Sequence, residues 1–304
     1  MTPSFSHAVV ALDLSEASDI IVDCLPHFKT FGTTKFTLVT VKSIPYTAER
    51  TEINTEEHRK KLKKYKKSLK ENGFKVDVDL RVGTHFYPPV EILTAAEENN
   101  ADFVIIGNRG QSKVQELLLG STATELLQRS ALPVYLLNLE LVIPDNDPEN
   151  RKLVLPQSCS TALDHVLHPT DFSETANRAF EVIKYFDSQG KIKNISFIHV
   201  QGDNAIALKD PVSLEELNRN NRTLLNNIRN QLSDRTRNNS EIFITFGTPA
   251  KEIINTIQDH GITMIIMGSQ GKGFVREFFL GSVSSQVTRN SKIPVLLIPA
   301  RRED

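Results

Sequence analysis

Val104-Ile105-Ile106-Gly107-Asn108-Arg109-Gly110, followed after a nine-residue spacer by Gly120-Ser121, decides how this chain is read. The same grammar returns as Ile265-Ile266-Met267-Gly268-Ser269-Gln270-Gly271, then nine residues, then Gly281-Ser282. Each copy runs from an apolar stretch through two spaced glycines to a Gly-Ser that opens a helical pattern, and then to Pro-Val. With 14 glycines in 304 residues, one Gly-x2-Gly-x9-Gly-[Ser/Thr] should arise in roughly one such chain in a few hundred. A second at an equivalent place is about a thousandfold rarer, so the motif marks a duplicated domain.

Outward from the first motif, the pattern alternates strands and helices. His7 to Leu12 is a short apolar run that reads as a buried strand, ending at Asp13. Ser15 is placed to cap the next helix, whose stripe is Ala17, Ile20, Ile21, Cys24, Leu25 and Phe28, with Pro26 as a kink and Gly32 as its stop. Phe36 to Val41 is the second strand, and a charged helix from about Asn54 to Asn72 follows. Val76 to Val82 alternates apolar and polar, as an edge strand does. A helix from Val90 to about Asn99 leads to the continuous, hence central, strand Phe103 to Ile106. After the glycine loop, Ser121 starts a helix to about Ser130, and Pro133 to Leu137 is the fifth strand.

The pattern breaks between Asn138 and Leu163, where Pro144, Pro148, Pro156 and Asp145-Asn146-Asp147 mark a linker, although Leu139 to Val142 could prolong the fifth strand. It restarts at His165 to Asp171, with Ser173 as cap and Ala176, Ala179, Phe180, Ile183 and Phe186 as the buried stripe. Ile195 to Val200, a long polar helix from Leu214 to about Asn238, Ile242 to Phe246, a helix Ala250 to His260, Met264 to Met267 and Ile293 to Ile298 complete the second copy. The expected division is 1–140, a linker 141–162, and 163–304. Strands alternating with helices imply an α/β fold with right-handed crossovers and parallel sheets.

Composition removes several classes of function. A formal net charge of -1 gives no electrostatic case for nucleic acid as a partner. The run Arg59 to Lys67 is the local exception, and a solvated helix face is its simplest reading. No window has the apolar length of a membrane span, and Met1 to His7 lacks the regions of a secretory leader. The two cysteines, Cys24 and Cys159, fall at different places in their repeats, so no disulfide framework is expected, and a cytoplasmic location is. No Gly-x4-Gly-Lys-[Ser/Thr] or Gly-x-Ser-x-Gly occurs, and the eight histidines show no metal spacing.

The glycines follow the carboxyl end of a central strand, where open parallel sheets bind ligands. If the first and fourth strands are neighbours, Asp13 faces the Gly107 loop across one cleft, and Asp171 faces the Gly268 loop across another. Gly107 and Gly110 would leave backbone N–H groups open to an anion. Gly120-Ser121 would present a helix N-terminus to phosphate, with the Ser121 hydroxyl as a further donor. Tight turns and plain helix caps remain the alternative for these residues. Asp13 and Asp171 could likewise accept turn N–H groups or bond a base or ribose.

Both halves resemble the universal stress protein family, and Pro169 to Thr175 and Ile265 to Val283 are close to the pattern of its ATP-binding branch. The resemblance implies two tandem Rossmann-like domains, each a five-stranded parallel sheet in the order 3-2-1-4-5 flanked by helices. It implies an adenine nucleotide, ATP or AMP or ADP, with Mg²⁺ able to accompany the phosphates. By that likeness Asp13 and Asp171 meet the adenine side, together with backbone at Val41 and Val200. Ile106 and Met267 would line the pocket. Gly107, Gly110, Gly120 and Ser121, and in the second copy Gly268, Gly271, Gly281, Ser282 and Val283, would hold ribose and phosphates. The second copy is the closer match; the first departs with Ala11-Leu12-Asp13 and Asn108-Arg109, and Arg109 could contact phosphate or point to water.

Family domains commonly pair through their fifth strands, so the likeness also implies pairing of Val134–Leu137 with Val295–Ile298 within one chain. A homodimer of such tandems is compatible with it, although no residue points there. The function implied is nucleotide-dependent stress signalling, non-enzymatic or with slow hydrolysis at most, since neither loop supplies a general base or a Mg²⁺-holding carboxylate pair. The alternative is a protein-interaction scaffold with vestigial pockets. An adenylating or flavin enzyme has less support, because no Ser-Gly-Gly loop follows either first strand.

Overall fold

The computed structural model describes residues 3–44, 55–110, 119–142, 151–202, 211–272 and 279–301. The chain divides into two compact units, Ser4–Ser160 and the chain from Thr161 onward.

In the first unit, β1 (His7–Ala11), β2 (Lys35–Ile44), β3 (Lys75–Thr84), β4 (Phe103–Gly107) and β5 (Val134–Leu137) alternate with α1 (Glu16–Cys24), α2 (Glu56–Glu71), α3 (Pro88–Glu98) and α4 (Ser121–Arg129). These five strands pair in parallel: β3 with β2, β2 with β1, β1 with β4, and β4 with β5. The order is therefore 3-2-1-4-5, as expected. Every residue of β1 and β4 is buried, whereas β3, at the edge, is mostly half-exposed. That is why the first two read as unbroken apolar runs and the third alternates. Phe28 anchors the core, with its ring centroid within 5.0 Å of those of Phe31 and Tyr135.

The second unit repeats the plan with β8 (His165–Pro169), α5 (Glu174–Ser188), β9 (Asn194–Gln201), α6 (Pro211–Arg229), α7 (Asp234–Asn238), β10 (Ser240–Phe246), α8 (Pro249–Asp259), β11 (Met264–Gly268), α9 (Ser282–Asn290) and β12 (Val295–Ile298). Its parallel order is β10-β9-β8-β11-β12, again 3-2-1-4-5.

Several local expectations are corrected. Pro26 does not kink one long helix. It sits at the start of a 3₁₀ turn, Leu25–Phe31, that takes over where α1 ends at Cys24, and Gly32 closes it at φ 89°. Ser15 occupies the N-cap of α1 but makes no capping bond, because its hydroxyl donates to Asp13 Oδ1 at 2.6 Å. The polar helix expected from Leu214 to Asn238 breaks into α6 and α7. Asp187 of α5 draws Ser233 N–H and Oγ into bonds of 2.7 Å each, which turns the chain there. The Arg59 to Lys67 run lies on α2, with Leu62, Tyr65 and Leu69 buried and the lysines largely in water.

Residues 139–142 do not prolong β5. β6 (Glu140–Val142) pairs antiparallel with β7 (Lys152–Val154) in a separate ribbon. Pro144, Pro148 and Asp145 to Asp147 lie outside the described residues. Contrary to expectation, Cys24 and Cys159 are joined in a disulfide. Cys159 belongs to the segment between the copies, so its place in the repeat says nothing about its partner. Among the described residues no helix is long and apolar enough to cross a membrane.

His168, on β8, is fully buried; its Nδ1 lies 3.0 Å from the Ile266 carbonyl and its Nε2 has no hydrogen-bond partner among the described residues. Burial drives its pKa down to about 4. The folded state thus keeps the ring neutral while the unfolded chain protonates it near the ordinary histidine value of 6.5. Stability is full above the unfolded value and falls as pH drops from there towards about 4. Between about pH 7 and about pH 5 this group by itself should cost the second domain about 2 kcal/mol of stability to urea unfolding. His168→Val, the residue found at the equivalent Val10, should flatten that dependence; an unchanged slope in the variant would assign it elsewhere.

Candidate functional site

Two residues beyond the end of each first strand stands an Asp, Asp13 or Asp171, that begins a tight turn. The following residue is left-handed in both copies, Leu14 at φ 62° and Phe172 at φ 60°. Large side chains hold that conformation only under constraint. In the second domain the constraint is visible: Asp171 Oδ1 accepts the Ser173 N–H at 3.0 Å and Oδ2 accepts the Lys272 N–H at 2.8 Å. One carboxylate therefore ties the end of β8 to the loop after β11. Asp13 Oδ1 accepts from Ser15 N, Ser15 Oγ and Ser18 Oγ.

The glycines divide into kinds that the sequence presented as one. A Cβ on Gly110 would stand 2.3 Å from Asp13 Oδ2, and one on Gly271 would stand 2.6 Å from Asp171 Oδ2. These two let the loop approach the carboxylate. Gly107 and Gly268 instead admit a helix, since a Cβ there would meet Ile21 Cδ1 at 3.0 Å or the backbone of Thr175 at 2.9 Å. Their expected role of opening N–H groups to an anion is replaced by one in packing the helix after the first strand. Gly120 and Gly281 are the N-caps of α4 and α9. Their N–H groups close the loops by donating to Asn108 O and Ser269 O at 2.7 and 2.8 Å. Neither helix has a side-chain cap, so its first-turn N–H groups face no competing oxygen from its own cap. Residues 111–118 and 273–278 of the spacers lie outside the described residues.

A cavity opens at this junction in each domain. In the second, about 350 Å³ is lined by all eight residues expected there: Asp171, Val200, Met267, Gly268, Gly271, Gly281, Ser282 and Val283. In the first, about 360 Å³ is lined by all seven: Asp13, Val41, Ile106, Gly107, Gly110, Gly120 and Ser121. Both lie where β1 and β4, or β8 and β11, are neighbours and the winding reverses. Sequence reasoning missed Ile92 and Ile253, apolar positions of α3 and α8, and Ser18 and Ile21 of α1. Their helical spacing marks them equally as core. His199 was also missed: it lines the second cavity, its Nδ1 is 2.8 Å from Thr170 O, its ring lies 4.7 Å from that of Phe172, and burial lowers its pKa.

The two clefts differ at the loop. Arg109 does not point to water; it is 8% exposed, lines the first cavity, and burial lowers its pKa against the opposing field of Glu140. Asn108 is bound to the chain beyond β5, accepting the Leu139 N–H at 2.8 Å and donating to its carbonyl at 3.2 Å. Ser269 braces the second loop in the same way by accepting the Ala300 N–H.

A model of the universal stress protein family matches residues 4–138 and again 162–299. Universal stress protein MJ0577 of Methanocaldococcus jannaschii is 33% identical over 151 residues, which span 44% of this chain and 93% of that protein. A crystal structure of a universal stress protein from Archaeoglobus fulgidus covers 97% of both chains at a TM-score of 0.66 and 27% identity. A putative universal stress protein from Pseudomonas aeruginosa covers 98% of this chain and 94% of its own at a TM-score of 0.68, but at 12% identity it speaks to fold alone. The chain belongs to the universal stress protein family, as a tandem of two of its domains.

Proposed function

We propose that each domain binds ATP or a related adenine nucleotide in its cleft, and that occupancy serves a cytoplasmic stress-response or signalling role. The observation that carries this reading is the convergence, in both copies, of a strand-end Asp, a two-glycine loop and an uncapped helix N-terminus on one cavity. Such a cavity is of the size that takes a small organic ligand. The helix N-termini suit phosphate, and the apolar walls from Val200, Ile253 and Met267 suit a base. Among the described residues, each cavity's only lining carboxylate is its strand-end Asp, and both already accept backbone N–H groups. Mg²⁺ would therefore be held mainly by the phosphates, and hydrolysis, where it occurs, is slow.

Equilibrium binding of labelled ATP to the full chain is the test, joined to mass spectrometry of any nucleotide carried through purification. Saturable binding competed by AMP or ADP is expected. No binding at millimolar ATP, from protein freed of carried ligand, would overturn the reading in favour of a scaffold.

A further inference from the structure

Lys61 is a member of the Arg59 to Lys67 run on α2 that turns inward. Its Nζ donates to the Leu14 carbonyl at 2.9 Å and to Asp19 Oδ2 at 3.0 Å, and lies 5.7 Å from the centre of the Tyr65 ring. Tyr65, buried on the same helix, donates to Asp19 Oδ1 at 2.5 Å. One ammonium group thus joins α2 to both sides of the turn that follows β1: the backbone of left-handed Leu14, and the first turn of α1.

That turn forms part of the wall of the first cavity: Asp13, next to Leu14, lines it, and so does Ser18, next to Asp19. Ser18 Oγ accepts the Asp13 and Leu14 N–H groups at 3.2 and 2.9 Å and donates to Asp13 Oδ1 at 3.0 Å. These bonds come from the helix that the turn opens, so they set its shape. Lys61 adds an anchor from a separate helix, itself seated on the core through Leu62, Tyr65 and Leu69. A leucine held at φ 62° relaxes when its surroundings loosen. Rotation about that φ swings Asp13 relative to α1. We propose that Lys61 is a positioning residue for the first cleft, holding the Asp13 turn where the ligand needs it; that the ligand is an adenine nucleotide rests on the function proposed above. The second domain fixes its corresponding turn by other means. Phe172 N–H donates to Thr170 Oγ1 at 3.0 Å, and its ring centre lies 4.7 Å from that of His199 and 5.7 Å from Lys272 Nζ. Loss of Lys61 therefore acts on one cleft, and the other serves as an internal control.

The test titrates the full chain, freed of carried nucleotide, with ATP as wild type, Lys61→Met and Lys61→Arg. The wild type should bind two equivalents. In Lys61→Met one equivalent should bind as before and the other about tenfold more weakly, the weight of one charge-assisted hydrogen bond. Lys61→Arg keeps charged donors on a long stem and should restore most of that loss. Hydrogen exchange without nucleotide reads the turn directly. A peptide spanning 12–18 should exchange roughly tenfold faster in Lys61→Met and near the wild-type rate in Lys61→Arg, while amides of β1 and β4 stay protected. Unchanged affinity of both clefts, unchanged exchange of 12–18, or a loss that Lys61→Arg shares in full would overturn the positioning role. Deprotection of β1 and β4 in Lys61→Met would do so too, since Lys61 would then be a staple of the whole domain. A wild type that binds no ATP, or a single equivalent that Gly271→Val removes, would instead sink the function proposed for the first domain, and this role with it.

Discussion

Gly271→Val should weaken nucleotide binding by the second domain about a hundredfold, a loss of about 2.7 kcal/mol. Its Cβ would stand 2.6 Å from Asp171 Oδ2 and 3.6 Å from the carboxyl carbon. No side-chain rotation of valine relieves that contact, because it is made by the Cβ itself. Asp171 must swing away or the loop must retreat, and either movement breaks the 2.8 Å bond to the Lys272 N–H. The carboxylate and loop then no longer share one cavity wall, which is the arrangement a base and its ribose would need. The core should be spared, since the clash is with an atom at the cleft. Isothermal titration of ATP against Gly271→Val, Gly110→Val and the double variant separates the two clefts. Wild-type affinity in the double variant, with unchanged circular dichroism, would remove these clefts as the binding site.

Much of this site was legible because the chain says it twice. The central place of β1 and β4 and the glycine loops facing Asp13 and Asp171 follow from apolar runs and glycine spacing that recur 161 residues apart at Gly107 and Gly268, whereas the strand order and the other cavity residues follow from the resemblance to the family. What stayed hidden depends on partners distant in sequence. Gly107 and Gly110 look alike in the sequence, yet one faces Ile21 and the other Asp13. Ser233 resembles any polar residue of a long helix until Asp187, 46 positions earlier, turns the chain at it. Cys159 was misread because it was assigned to a repeat that it precedes. Arg109, a charged loop residue expected in water or on phosphate, is buried by the fold beside the chain that returns after β5.

The two copies also allow one substitution to be compared in two surroundings. Gly268→Ala should destabilise the second domain by about 3 kcal/mol, whereas Gly107→Ala should cost the first only about 1 kcal/mol. At Gly268 the added methyl meets Thr175 Cγ2 at 2.8 Å and, more seriously, the Thr175 backbone carbon and oxygen at 2.9 and 3.0 Å. Thr175 lies in the first turn of α5, just after the Ser173 cap, so relief requires the helix to shift against β11. Such interiors do not yield without strain. At Gly107 the nearest atom is the terminal Cδ1 of Ile21 at 3.0 Å, the far end of a flexible side chain, and the next is the Arg109 carbonyl oxygen at 3.2 Å. A rotamer change relieves the first of these. In a domain of this size the larger loss corresponds to a fall in Tm of about 10 °C, read on the second domain's transition because the tandem need not unfold in one step. Equal shifts for the two variants would mean that the helix, not the isoleucine tip, gives way in both domains, and that the two glycines are needed for the same reason.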